Sequence, residues 1–187
     1  MSSRLLLSEP IPAELCYDNV SEADRSLAAD YSAQRAAETL TWRAMVNNHL
    51  GAVQQFGYDS VGAPIILNST LNIGVSHTSD LVAVVLSDRA CAVDVERKDR
   101  DVERISERFF SPLEKGLCHS TEHSVAIWCA RECYYKLCRN KSLSLLTDIH
   151  ITALNIEAGS VTVQSPLIEA ITLRITQTAD HFVVYII

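Results

Sequence analysis

Two acidic clusters hold the residues of this sequence best suited to chemistry. In the run Cys91-Ala92-Val93-Asp94-Val95-Glu96, two carboxylates sit two positions apart among apolar, β-branched neighbours. On a strand, residues two apart share a face, so Asp94 and Glu96 point one way and Val93 and Val95 the other. In Trp128–Leu137, Glu132 and Lys136 are four apart, one turn along a helix face. Between Val125 and Cys138 the charged residues are Arg131, Glu132 and Lys136 alone, and a helix apolar on all sides is a buried helix. A buried Glu–Lys pair adds little to stability, because desolvation offsets the Coulomb gain. It is either a structural ion pair or a catalytic one, and catalysis gives a reason to keep it. Mg²⁺ takes one or two protein carboxylates and fills its shell with phosphate oxygens and water. The two clusters therefore suit a magnesium-dependent phosphoryl-group enzyme. Asp94 and Glu96 are its metal ligands, Glu132 is a further ligand or the general base, and Lys136 neutralises a leaving phosphate.

Other groups are candidates for holding phosphate. Ser76-His77-Thr78 lies just past a strand end, where the hydroxyl and imidazole can grip an anion or simply brace the chain. Arg35 and Arg43 are eight apart on a long helix, slightly over two turns, and can clamp a second phosphate. Arg97, Lys98, Arg100, Arg104 and Arg108 alternate with Asp99, Asp101, Glu103 and Glu107. This stretch is either a solvated, ion-paired segment or a basic edge that docks an acidic partner. The net charge of −7 disfavours nucleic acid. No apolar run reaches the ~20 residues of a membrane span, and the apolar N-terminal stretch is too short for a secretory signal, so a cytoplasmic protein is expected. Its six cysteines contain no C-x-x-C pair and read as reduced core thiols.

The elements that must position these groups fall into two halves. In the first, a strand at Leu5–Leu7 precedes a long helix from the cap Ser32 to Leu50, stopped by Gly51. A turn at 58–64 leads to strands at 64–67, 72–76 and 81–87. A tight turn at 87–89 then leads to the strand 90–96. In the second half, helices are expected at 102–110, 112–120 and 122–138, with Ser111 capping Pro112. Strands follow at 148–156, 161–164, 171–177 and 182–187. The plan is α+β: two similar α/β lobes in one chain, residues 1–89 and 90–187.

In order, these pieces resemble the 4′-phosphopantetheinyl transferase family, of its larger, surfactin-synthetase-activating type. The resemblance covers roughly residues 32–140 and is strongest in two motifs. The first, G-[IV]-D-[IVL]-E, reads Ala92-Val93-Asp94-Val95-Glu96 here. The second, W-x-x-K-E-[AS]-x-x-K, reads Trp128 to Lys136, with Arg131 in place of the lysine. Ser76-His77-Thr78 is similar to the family's S-H-S segment, Phe109–Glu114 to F-F-[ST]-x-x-E, and Arg35–Arg43 to R-x-x-E-x-L-x-x-R. Gly62-Ala63-Pro64 stands where the family has G-K-P. The resemblance implies a monomer with its active site at the lobe interface. It implies transfer of 4′-phosphopantetheine from coenzyme A to a serine of an acyl or peptidyl carrier protein, releasing adenosine 3′,5′-bisphosphate. Asp94, Glu96 and Glu132 would hold Mg²⁺, Glu132 would deprotonate the serine, and Lys136 would steady the diphosphate. Arg35, Arg43, Ser76 and His77 would bind the coenzyme's phosphates, and the N-terminal lobe would supply those contacts. The alternative is a module of the same fold that binds coenzyme A or a protein partner and no longer transfers.

Overall fold

In the computed structural model, which describes residues 3–187, the chain divides into two units. One runs to Cys91 and includes Ile187; the other is Ala92–Ile186. Each pairs an 18-residue helix with an antiparallel sheet.

In the first unit, β1 (Arg4–Ser8), β4 (Asn72–His77) and β5 (Val82–Ser87) form a three-stranded sheet in the order β1-β5-β4, and β2 (Phe56–Tyr58) and β3 (Pro64–Ile66) form a hairpin. The run Val82–Ser87 is apolar, β-branched and fully buried, as suits the central strand. Helix α2 (Ala33–Leu50) begins where the Ser32 hydroxyl accepts the Arg35 N–H and ends at Gly51, whose φ of 71° is the left-handed cap glycine favours. Trp42 and Val46 of α2 pack on Ile66, Ile73, Val82, Val84 and Leu86. Residues 13–29, which the sequence patterns leave unassigned, form a 3-10 segment (Ala13–Asn19) and a short helix, α1 (Glu22–Ala29). The signal for α1 was present in Ser21-x-x-Asp24, whose side chains make a reciprocal capping box.

In the second unit, β6 (Ala92–Arg97) is the edge of a five-stranded sheet ordered β6-β10-β9-β8-β7. After β6 come α3 (Glu103–Phe109), α4 (Pro112–Leu117) and α5 (Thr121–Cys138). The chain then enters the far edge as β7 (His150–Asn155) and returns strand by strand through β8 (Ser160–Ser165), β9 (Ile168–Gln177) and β10 (His181–Ile186). Short connections make that return antiparallel. Val125, Ala126, Cys129 and Cys133 of α5 join Ile151, Val163, Leu173, Phe182 and Val184 in one core. Gly159 turns the β7–β8 hairpin at φ 68°, and a Cβ there would lie 2.8 Å from the Ile175 carbonyl oxygen. The largest differences from the expected bounds are three residues: α4 stops early, at Leu117, and β9 starts early, at Ile168.

All six cysteines are free, and four are buried. Among the described residues, no helix is long and apolar enough to cross a membrane.

Candidate active site

Among the described residues, strand β6 pairs only with β10, placing Asp94 opposite Val184 and Glu96 opposite Phe182. Ala92, Phe182 and Val184 belong to the core that α5 covers, so the strand's alternation turns both carboxylates toward α5. Asp94 and Glu96 are buried, at 4% and 6% exposure. From α5, the Lys136 ammonium donates to Asp94 Oδ1 at 2.6 Å. Glu132, one turn earlier, is close enough for its charge to couple to Asp94, Glu96, Lys136 and Arg100. The structure thus brings together the four residues that the two sequence motifs singled out.

It also adds a fifth. Arg100, expected among the docking arginines, turns back onto Glu96 and donates to its Oε1. A turn closed by the Arg100 N–H on the Arg97 carbonyl, at 3.0 Å, reverses the chain there. The guanidinium also lies 5.7 Å from the centre of the Trp128 ring. Trp128 itself is core, 5% exposed. Nothing in the sequence marked Arg100, because its spacing from Glu96 spans a strand end and a turn rather than a helix.

The cluster sets three carboxylates against two cations. Burial pushes the Glu96 carboxyl above its usual pKa, and the Asp94 charge adds to this against the opposing hydrogen bond from Arg100. Burial likewise raises Glu132, with Asp94 adding and Lys136 opposing. For Lys136, burial works against the ammonium, but the charge and hydrogen bond of Asp94 outweigh it and hold the pKa above the usual lysine value. Beneath Asp94, the buried Cys129 thiol is pushed well up, by burial first and the Asp94 charge second, so it stays protonated and packs.

A second constellation holds α5 in place. Glu114 and Arg131 are both fully buried. Arg131 Nη2 donates to Glu114 Oε1 and Oε2 at 2.8 and 2.7 Å, and Nε donates to Oε1 at 3.0 Å. Nη1 donates to the Leu146 carbonyl at 3.1 Å, and Nη2 shares its hydrogens with the Phe109 carbonyl at 3.3 Å. Glu114 also accepts the backbone N–H of Ser111 at 2.8 Å, in the α4 capping box, and that of Ile151 at 2.9 Å. Here the F-F-S-P-L-E segment and the W-x-x-R-E segment lock to each other. Arg131 is therefore a brace, and its neighbour Glu132 faces the acidic cluster.

The sequence model of the 4′-phosphopantetheinyl transferase superfamily matches residues 90–185, the span of β6 through β10 that carries both constellations. The chain belongs to that superfamily. No curated protein sequence matches it. The acidic strand, the brace and the lysine helix all lie inside the matched residues.

The first unit carries the remaining candidates. Arg35 is exposed, with its guanidinium 4.4 Å from the Tyr31 ring centre. His77 Nδ1 lies 3.1 Å from Glu38 Oε2. Arg35, Glu38, Trp42, Tyr58 and His77 line an open cleft of about 550 Å³. Ser76 is buried. Arg43 departs from expectation. It is 2% exposed, paired with Asp24 at 3.2 Å and stacked on Trp42 and Phe56. Arg35 and Arg43 therefore make no joint clamp. Eight residues is about 2.2 helical turns, and the extra rotation of roughly 80° takes Arg43 from the surface into the core.

A hard divalent cation suits the donors in the second unit, which are all carboxylate oxygen, two buried and one partly exposed, with one negative charge in excess. Among the described residues, no three His, Cys, Asp or Glu side chains are grouped to hold a metal ion as they stand. Lys136 and Arg100 hold carboxylate oxygens of Asp94 and Glu96 instead.

Proposed function

We propose that this chain transfers 4′-phosphopantetheine from coenzyme A to a serine of an acyl or peptidyl carrier protein, with Mg²⁺, releasing adenosine 3′,5′-bisphosphate. The observation that carries the reading is the convergence of Asp94 and Glu96 on β6 with Glu132 and Lys136 on α5, in a member of this superfamily.

Asp94 and Glu96, with Glu132, are the residues proposed to hold Mg²⁺, which when bound neutralises charge developing on the leaving phosphate. Glu132 accepts the proton of the carrier serine, a role that a carboxylate with a raised pKa performs well near neutral pH. Lys136 is the cation for the diphosphate: its ammonium stays charged and is held by Asp94. Arg35, Ser76 and His77 are proposed contacts for the coenzyme's phosphates. Arg43, being buried, supports α2 rather than touching them. Arg104 and Arg108, exposed on α3, remain the arginines proposed to meet an acidic carrier.

The test is to incubate the protein with coenzyme A, Mg²⁺ and several apo carrier proteins and to weigh each carrier by mass spectrometry. A phosphopantetheine adduct on a carrier, lost in Glu132→Gln and Asp94→Asn, is expected. No adduct on any carrier would sink the transferase reading, and coenzyme binding without transfer would make the chain a binding module.

A further inference from the structure

Arg100 and Lys136 occupy the same acidic cluster but are anchored differently. Lys136 rises from α5, the helix that also carries Glu132 and is buried through its middle turns, from Val125 to Tyr134. Its position is set by the packing of that helix. Arg100 comes from the connection between β6 and α3, where moving a side chain breaks no helix. Its side chain is 41% exposed over the 9% exposed Glu96 side chain, so the guanidinium covers the carboxylate from the solvent side. It has a second attractive surface in the Trp128 ring. It also lines an open cleft of about 540 Å³ with Asp99, Asp101, Ser106 and Ser124, which gives it room to move.

Metal ligation and the present ion pairs compete for the same oxygens. A divalent cation that uses Asp94 and Glu96 must displace a cation already there; the two side chains are about equally exposed, at 41% for Arg100 and 37% for Lys136, so the arginine, on a connection rather than a packed helix, is the one free to leave. We propose that Arg100 is a placeholder: it holds the Glu96 carboxylate while the cluster lacks metal and is displaced when a divalent cation binds. Metal binding and release of the guanidinium are then one event. The freed Arg100, beside the metal and above Trp128, becomes a cation available to an oxyanion of the substrate. This rests on the proposed metal role of the acidic cluster.

The test needs neither coenzyme nor carrier. Mn²⁺ is titrated into the metal-free protein, and free Mn²⁺ is read from its electron paramagnetic resonance signal. Wild type, Asp94→Asn, Arg100→Gln, Arg100→Lys and Arg104→Gln are compared. Asp94→Asn should abolish the site. Arg100→Gln should tighten Mn²⁺ binding by roughly threefold to fivefold, the upper scale of one partly exposed ion pair. Arg104→Gln removes an equal charge that is not paired with Glu96, and should shift the Kd by less than about twofold, since exposed charges are screened. Arg100→Lys, with one short ammonium in place of the fork, should fall between wild type and Arg100→Gln. Equal effects of Arg100→Gln and Arg104→Gln would overturn the placeholder while leaving the metal role intact. Absence of Mn²⁺ binding in every variant would overturn both, whereas the carrier-mass assay reports on transfer separately.

Discussion

Replacing Arg131 by methionine keeps the length of the apolar stem and removes the guanidinium from the brace between α4, α5 and β7. Glu114 then keeps two hydrogen bonds, from the N–H groups of Ser111 and Ile151, and loses three from Arg131. The Leu146 and Phe109 carbonyls lose their side-chain donor as well. Removing one partner of a fully buried pair costs about 3–5 kcal/mol, because the other charge is left in low dielectric. That is a large share of the roughly 5–15 kcal/mol that holds a domain folded. The measurement is guanidinium chloride unfolding in a Trp42→Phe background, where Trp128 alone reports on the second unit. At pH 7, Arg131→Met should lose about 3–5 kcal/mol. Adding Glu114→Gln should recover part of this, since a neutral amide is cheaper to bury than a lone carboxylate, with a coupling of about 2 kcal/mol. Arg131→Lys, the residue usual in the family motif, should lose about 1–2 kcal/mol, because one ammonium cannot reach both Glu114 oxygens and the two carbonyls. A loss below about 1 kcal/mol for Arg131→Met, or no coupling to Glu114→Gln, would refute the brace.

The same pair predicts a pH dependence. Burial raises the Glu114 carboxyl, but hydrogen bonds from Arg131, Ile151 and Ser111 and the Arg131 charge outweigh it, so its folded pKa lies below the ordinary 4.5. Its contribution to stability is therefore complete above the unfolded value and lost as pH falls through the folded one, and Glu114→Gln should flatten the acid limb of the stability curve. Gly159→Ala should destabilise the second unit by about 2 kcal/mol or more in the same unfolding assay, since a left-handed φ and a backbone oxygen at 2.8 Å both oppose a Cβ. Glu132→Gln should lower kcat of transfer roughly 100-fold and remove the acid limb of the pH–rate profile, as loss of a general base does. Ala63→Lys, which restores the family residue next to cleft-lining Pro64, should lower the KM for coenzyme A by roughly fivefold, the value of one exposed charge pair with a phosphate.

The functional motifs could be read without the fold because their spacing is local. Asp94 and Glu96 share a face through strand alternation, Glu132 and Lys136 through one helical turn, and the caps Ser32, Ser111 and Gly51 punctuate helices by backbone chemistry within a few residues. These local rules located the strand, the lysine helix and most element bounds. They missed α1, whose eight residues start at the Ser21–Asp24 capping box and are tied down by the Asp24 contact with Arg43.

What only the tertiary structure decided are the partners separated in sequence. That Lys136 meets Asp94, and that Glu114 meets Arg131 and the Ile151 amide, depends on α5 lying across the β6 end of the sheet and α4 abutting β7. Two arginines, one read as half of a phosphate clamp and one as part of a solvated or docking edge, likewise took other places. Arg43 went into the core, because two turns of helix overshoot by a fraction of a turn. Arg100 went onto Glu96, because a turn after β6 folds it back. Periodicity tells which way a side chain leaves its own element. The three-dimensional packing tells what it meets there, and for this chain that difference separates a pair of acidic motifs from a charge-coupled site with a resident arginine.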